Sequence, residues 1–356
     1  TGMAVCTAAG NTDATWEALC TGNSPIGHLP PNWKTPTKIG GIVPEACFNF
    51  SQWFGPEALK EIRRASRPTK LVCAVLPEAL SQAKLLQPDG KILQHFARRT
   101  IIVVGTGIGA SEDIGELGAD IATLDTTSDP ETQQHQLKKL RSKHLLTAVE
   151  SLPDAPAYIP SMLFGITGST LTVTRACASG EASIHAAIDK LCLHKADVAI
   201  AVGVESLSEL DVMTFNLLAR HGALSMRNDE PKKASRPFDR NHDGFVPAEG
   251  AGVLILERLE DADRRGATIL AEVLGYGEGV DAKDPTDPDT FRQAEVMREA
   301  LKDAGISSSQ IQLMKAHATS TPPPLDKRQK RQDGSGSADG SELEAIKMVF
   351  GSNRNF

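Results

Sequence analysis

Val173-Thr-Arg-Ala-Cys-Ala-Ser-Gly180 is the stretch that decides the fold. A β-branched strand, Leu171 to Thr174, runs straight into Cys177, then into three small residues, then into an amphipathic helix from Gly180 to Leu193. A second apolar run, Ala196 to Gly203, follows at once and reads as a buried strand. Strand, helix and strand in succession point to layered α/β architecture.

The pattern continues on both sides. Arg99 to Gly105 carries Thr-Ile-Ile-Val-Val between charge and glycine and reads as a buried strand. Gly250 to Leu256 and Thr268 to Gly275 read as further strands, and Phe291 to Ala304 as a helix stopped by Gly305. Nearer the start, a short capped helix is expected around Thr12 to Leu19, ended by Gly22-Asn23, with helices at Pro56 to Ala65 and Pro77 to Leu86. Ser111 to Gln136 is polar and acidic and is expected at the surface. From Pro322 to Gly340 the composition breaks: three prolines, then Lys-Arg-Gln-Lys-Arg-Gln over 327–332, then a Gly/Ser-rich run. A flexible, solvated insertion is expected there, over about 323–338.

The 356 residues carry 38 Lys+Arg against 45 Asp+Glu, a formal net charge of −7. That balance supplies no global field for nucleic acid or an anionic membrane. The longest apolar run is strand-sized, so no transmembrane span is expected. No charged segment followed by an apolar one opens the chain, so no secretory signal is expected. The six cysteines, Cys6, Cys20, Cys47, Cys73, Cys177 and Cys192, are scattered and form no C-x-x-C pair. They fit neither a disulfide scaffold nor a zinc site, and a reducing, cytoplasmic setting is expected.

Cys177 falls where a strand turns into a helix. A helix N-terminus favours thiolate over thiol, and its open N–H groups can hold an oxyanion. The bland alternative is a packed structural cysteine, which is the better reading of Cys192 further along the helix. A thiolate nucleophile needs a proton partner. His317 stands out: Ile311-Gln-Leu-Met-Lys-Ala316 reads as a strand, and His317-Ala-Thr-Ser-Thr-Pro322 as the hydroxyl-rich loop leaving it, a placement that suits a site at a sheet edge. His185 and His194 read as packed or solvated, and His242 as a turn residue.

A competing motif is Gly105-Thr-Gly-Ile-Gly-Ala110, which follows a strand and matches the dinucleotide fingerprint, with Asp125 about 20 residues on. Against an NAD-dependent oxidoreductase, the next residues open with two acids, which would repel a pyrophosphate.

Taken in order, the motifs resemble those of the β-ketoacyl-acyl-carrier-protein synthases, the condensing enzymes of the thiolase superfamily. The likeness runs from Thr1-Gly-Met-Ala and Gly22-Asn-Ser-Pro-Ile-Gly27 through Val104-Gly-Thr-Gly-Ile-Gly109, Phe164-Gly-Ile-Thr-Gly168, Ala176-Cys-Ala-Ser-Gly180 and Gly203-Val-Glu-Ser206. It goes on through Leu224 to Asp229, Ser235-Arg-Pro-Phe-Asp239, Asp243 to Gly252 and Ala316-His-Ala-Thr-Ser-Thr-Pro322.

The resemblance implies a thiolase-like layered αβαβα fold with an incomplete C-terminal half. The halves would be 1–260, holding the nucleophile, and 261–356. It implies acyl transfer to Cys177, then decarboxylative Claisen condensation with a malonyl thioester in fatty acid or polyketide synthesis. Cys177 and His317 would be catalytic, Thr319 and Thr321 would hold the pantetheine arm, and Ile108 would line the acyl pocket. No metal or cofactor is implied, since the substrates ride on the phosphopantetheine of acyl carrier protein, and a homodimer is expected. The sequence also departs from the family pattern. Arg175 and Ala318 stand where the family has a small residue and a glycine, and the sequence reaches its last residue, Phe356, without the family's second histidine motif or its Gly-Phe-Gly turn. On that reading the chain is truncated at both ends, and a non-elongating or inactive acyltransferase-like relative is the alternative function.

Overall fold

The computed structural model describes residues 1–145, 147–218, 223–282, 288–322 and 337–351. The chain forms two compact units. The first comprises Thr1–Pro25, Gly41–Asp211 and Ala248–Ala271, and the second Ile26–Gly40, Val212–Pro247 and Glu272–Phe356.

The first unit is built on one mixed sheet. Its strands are β1 (Gly2–Cys6), β4 (Thr100–Gly105), β5 (Ser169–Val173), β6 (Val198–Glu205) and β7 (Gly250–Glu257). Two short strands, β2 (Gly27–His28) and β3 (Ile39–Gly40), pair antiparallel in the second unit. The large sheet runs β1-β7-β6-β4-β5. β4 is parallel to β5 and β6, whereas β7 is antiparallel to β6 and β1.

β4 and the first five residues of β6 are buried, and alternation assigns their side chains to two faces. Ile102, Val104, Ile200 and Val202 join Val253 and Ile255 against the helices Arg67–Gln82 and Ala155–Phe164. Ile101, Val103, Ala199 and Ala201 face the helix Ser179–Cys192 through Ala187 and Leu191. The result is a helix–sheet–helix layering. A central strand covered on both faces needs a near-continuous apolar run, which is the signal the sequence carries at 100–105 and 198–205.

Most sequence-based elements form within a residue or two of their expected ends. The helix Thr12–Thr21 is capped by Asn11, whose side chain accepts from Ala14 N, and stops at Gly22 with φ +67°. The expected polar surface at 111–136 forms two helices, Ser111–Ala122 and Pro130–Lys143, neither with a fully buried residue.

Three expectations need correction. The helix assigned to Pro77–Leu86 starts ten residues earlier, at Arg67, with Pro68 in its first turn and Pro77 inside it. Its two prolines suggest breaks, but ten buried residues, including Leu71, Leu76 and Leu80, hold it against the sheet. Each such side chain contributes roughly 1.5–3 kcal/mol, enough to offset one lost backbone bond. The strands expected at 268–275 and 311–316 are irregular. A strand exists only through a ladder, and among the described residues these segments have no partner strand. The irregular segment 275–279 instead lies against the helix Thr290–Asp303 and its C-terminal cap, so closely that a Cβ on Gly275 would sit 2.4 Å from Ala304 N. The insertion expected at 323–338, with its basic run 327–332, lies outside the described residues apart from Ser337 and Ala338. Ser337 caps the helix Ala338–Phe350 by accepting from Gly340 N.

Candidate functional site

In the first unit, Cys177 lies between β5 and the helix Ser179–Cys192, and it is exposed. The turn that presents it is tight. Ala176 adopts φ +47°, which an L-residue enters at a cost of about 1 kcal/mol or more. Ser179 staples the turn from below: its hydroxyl donates to Ala176 O at 2.7 Å and accepts from Arg175 N at 2.8 Å. Ala178 N donates to Arg175 O and Ser179 N to Ala176 O, so the first helical turn closes directly behind the sulfur.

Glycine makes this junction possible. Gly105 and Gly203 pair in register at the ends of β4 and β6. A Cβ on Gly105 would come within 1.9 Å of Ser179 O, and one on Gly203 within 3.3 Å of Gly180 Cα. The helix start is seated on bare strand backbone: no larger residue fits at Gly105, and one at Gly203 would be tight.

Beside this junction is the glycine turn after β4. Glu205, the last residue of β6, places its carboxylate inside that turn. It accepts from Gly107 N at 2.6 Å, from Ile108 N and Gly109 N at 3.2 Å, and from the Thr106 hydroxyl at 3.2 Å. Successive N–H groups of this kind form an anion-binding nest. Here the anion is the chain's own carboxylate, so the positions a pyrophosphate would need are filled. The dinucleotide reading of Gly105–Ala110 therefore fails. Ile108 has its N–H held while its side chain is 39% exposed.

In the second unit, the loop His317-Ala-Thr-Ser-Thr321 is held by two carboxylates three residues apart at the start of the helix Ala338–Phe350. Residues at that spacing share one helix face. Glu342 accepts from His317 N at 2.6 Å and from Ala318 N at 2.8 Å. Asp339, itself buried, accepts from Ser320 N at 3.0 Å, from the Thr319 hydroxyl at 3.3 Å and from Phe238 N at 2.9 Å. The loop is wound tightly: Ala318 has φ +49° and Ser320 φ +64°. Ser320 is wholly buried and its hydroxyl accepts from Arg236 N, whereas the His317 side is exposed. Thr321 is half-buried.

Of the sequence-derived site residues, Cys177 and Ile108 belong to the first unit, where the Cys177 turn and the glycine turn touch. A Cβ on Gly107 would be 3.4 Å from Ala176 O. His317, Thr319 and Thr321 share one loop of the second unit. His242 closes a turn, its N–H donating to Asp239 O, and His194, the solvated of the two outcomes expected, is exposed after the helix with φ +53°. Cys192, expected to be packed, is instead exposed, because it ends the helix on the side away from the buried Ala187 and Leu191.

Glu205, Asp339 and Glu342 are not among the site residues that the sequence leads one to expect. Glu205 lies in the family-like Gly203-Val-Glu-Ser206, but nothing local shows that it reaches the glycine turn. Asp339 and Glu342 do carry a local signal, a pair of acids at i and i+3 just after a Ser cap.

Comparisons with known proteins agree with this architecture. Residues 1–262 match the family described as β-ketoacyl synthase, N-terminal domain, and residues 270–324 match β-ketoacyl synthase, C-terminal domain. The chain is 31% identical to 3-oxoacyl-[acyl-carrier-protein] synthase 2 of Vibrio cholerae, the match covering 99% of this chain and 76% of that protein. It is 35% identical to the mitochondrial 3-oxoacyl-[acyl-carrier-protein] synthase of Arabidopsis thaliana, over 88% of this chain and 61% of that protein. Among solved structures, a β-ketoacyl synthase from Burkholderia phymatum superposes with a TM-score of 0.79 at 28% identity, covering 99% of this chain and 77% of the other. The ishigamide ketosynthase/chain length factor gives 0.75 at 27% identity, with the same coverage.

Proposed function

Because the chain belongs to the β-ketoacyl synthase family, we propose the following chemistry for it as an acyl-transferring condensing enzyme of fatty acid or polyketide synthesis. The Cys177 thiolate attacks the carbonyl of an acyl thioester. A C–S bond forms, and the pantetheine thiolate leaves and takes a proton from solvent. A malonyl thioester then loses carbon dioxide: its C–C bond to the carboxylate breaks and the electron pair moves into an enolate. His317 is the donor facing that enolate oxygen, since a preorganised N–H offsets developing charge without a metal. The carbanion attacks the acyl-cysteine, a C–C bond forms, and the C–S bond breaks to return the thiolate. Thr319 and Thr321 bind the pantetheine arm and Ile108 bounds the acyl pocket.

One observation carries this reading. An exposed cysteine stands at the N-terminal end of a helix, on a turn held at positive φ, with the helix seated on glycine-only backbone. A structural cysteine needs none of that exposure or strain. The functional halves are taken as 1–260 and 261–356. Acyl carrier protein is the donor and acceptor of thioesters, and the chain requires no cofactor of its own. Among the described residues no helix is long and apolar enough to cross a membrane, and the setting proposed is cytoplasmic, with the chain acting as a homodimer.

The test has two arms. Intact-mass analysis after incubation with a fatty-acyl thioester is expected to show one acyl adduct, lost in Cys177→Ala. Labelled malonyl carrier protein is expected to release carbon dioxide. Transfer without release would assign the chain to the non-elongating alternative, and no adduct at Cys177 would overturn the assignment.

A further inference from the structure

We propose that Glu205 is a specificity-positioning residue: by filling the nest of the 106–109 turn it sets where Ile108 stands, and so which acyl chains the enzyme accepts. The inference rests on the proposed role of Ile108 as a wall of the acyl pocket.

Four donors converge on one carboxylate. Gly107 N approaches to 2.6 Å, while Ile108 N, Gly109 N and the Thr106 hydroxyl lie at 3.2 Å. Thr106 closes the ring by also accepting from Gly109 N at 3.1 Å. Every backbone N–H from 107 to 109 is therefore tied to Glu205. Charge-assisted bonds of this kind are roughly twice as strong as neutral ones.

The tether is also rigid. Glu205 is the last paired residue of β6, opposite Gly250 of β7, so the carboxylate is carried by a central strand. On its other side the turn packs toward the nucleophile: a Cβ on Gly107 would lie 2.9 Å from Glu205 Oε2 and 3.4 Å from Ala176 O. The turn is held between Glu205 and the residue before Cys177.

Ile108 combines a fixed backbone with an exposed side chain. Its place is set by main chain rather than by packing, so loosening the tether moves the wall. Glu205→Gln keeps the size but offers a single acceptor oxygen, and its amide nitrogen would face N–H donors. A displaced wall of about a methylene's thickness alters discrimination by roughly tenfold or more.

The experiment measures initial acylation rates of the full chain with short, medium and long straight-chain acyl thioesters, and takes their ratios. Ratios cancel the fraction of folded protein, so a merely structural role leaves them unchanged. Ile108→Ala serves as the control for the pocket, and Thr106→Val as a milder cut of the same tether should Glu205→Gln fail to fold. The expected result is a shift of about tenfold in the long-to-short ratio for Glu205→Gln or Thr106→Val, with a shift also in Ile108→Ala. A shift in Ile108→Ala alone overturns the role of Glu205. No shift in Ile108→Ala overturns the pocket reading and this inference with it.

Discussion

The Glu342 carboxylate receives the backbone N–H of His317 at 2.6 Å and that of Ala318 at 2.8 Å. The histidine's main chain is therefore fixed by a helix that begins 21 residues further along, while its side remains exposed. The catalytic proposal for His317 thus makes Glu342 the residue that aims it.

Replacing Glu342 by Ala leaves two N–H groups without their acceptor and frees the loop. Malonyl decarboxylation is expected to fall by roughly tenfold to a hundredfold, because small misplacements of a catalytic donor cost rates of that order. Acylation of Cys177, measured in parallel by intact mass, is expected to change by no more than about twofold. An equal loss in both half-reactions would remove the aiming role.

Ala318 occupies φ +49°, where the resemblance calls for glycine. A Cβ in the left-handed region costs about 1 kcal/mol or more, partly offset by the extra freedom glycine has when unfolded. Ala318→Gly is expected to raise stability by about 0.5–1 kcal/mol, read as a higher urea midpoint at unchanged slope. A lower midpoint would show that the alanine methyl is held by packing.

Thiol chemistry should sort five of the six cysteines, Cys47 being half-buried. Burial pushes the thiols of Cys6 and Cys73 up to about 12, whereas Cys20, Cys177 and Cys192 are exposed. An alkylating reagent at mildly alkaline pH is expected to label the exposed three in the native chain, and Cys6 and Cys73 only in denaturant. Peptide mapping checks this, and early modification of Cys73 would place its helix elsewhere.

Asp197 is held down to about 2, first by its hydrogen bond to Arg99 and then by Arg258, which donates at 2.8 Å. A carboxylate whose folded pKa lies below its unfolded one stabilises the fold above about pH 4, and that contribution disappears as the pH falls toward 2. Arg99 and Asp197 are partly exposed, so the contribution is under about 1 kcal/mol. Asp197→Asn is expected to lower stability modestly across the neutral region, where the carboxylate contributes, and to leave it nearly unchanged near pH 2, so that the acid limb flattens. An unaltered acid limb would mean the pair is fully screened.

The parts legible in the sequence were those written into consecutive residues. Ile101 to Val104 and Val198 to Val202 are covered on both faces, so they need an unbroken apolar run and display one. The Cys177 turn was legible because strand, cysteine, small residues and helix follow without a gap. What escaped depends on contacts distant in the chain. Glu205 reaches back about a hundred residues to Gly107, and the same glycine pattern without its carboxylate reads as a cofactor loop. Pro77 reads as a start because proline favours a first turn, yet tertiary burial carries the helix through it. At 268–275 and 311–316 the apolar spacing suits a strand, but spacing cannot supply a partner.

The seat of the helix Ser179–Cys192 on Gly105 and Gly203 has a consequence for how this scaffold can diversify. Main chain rests on main chain there, so the seat of the helix that follows the sulfur is set by backbone, with the Ser179 hydroxyl as the side chain that pins the turn. If Ile108 bounds the acyl pocket as proposed, libraries that randomise it retune what is accepted while the sulfur stays in place, whereas one carbon added at Gly105 has no vacant space to enter. On the proposed roles, substrate range and chemistry thus fall on different atoms of the same junction.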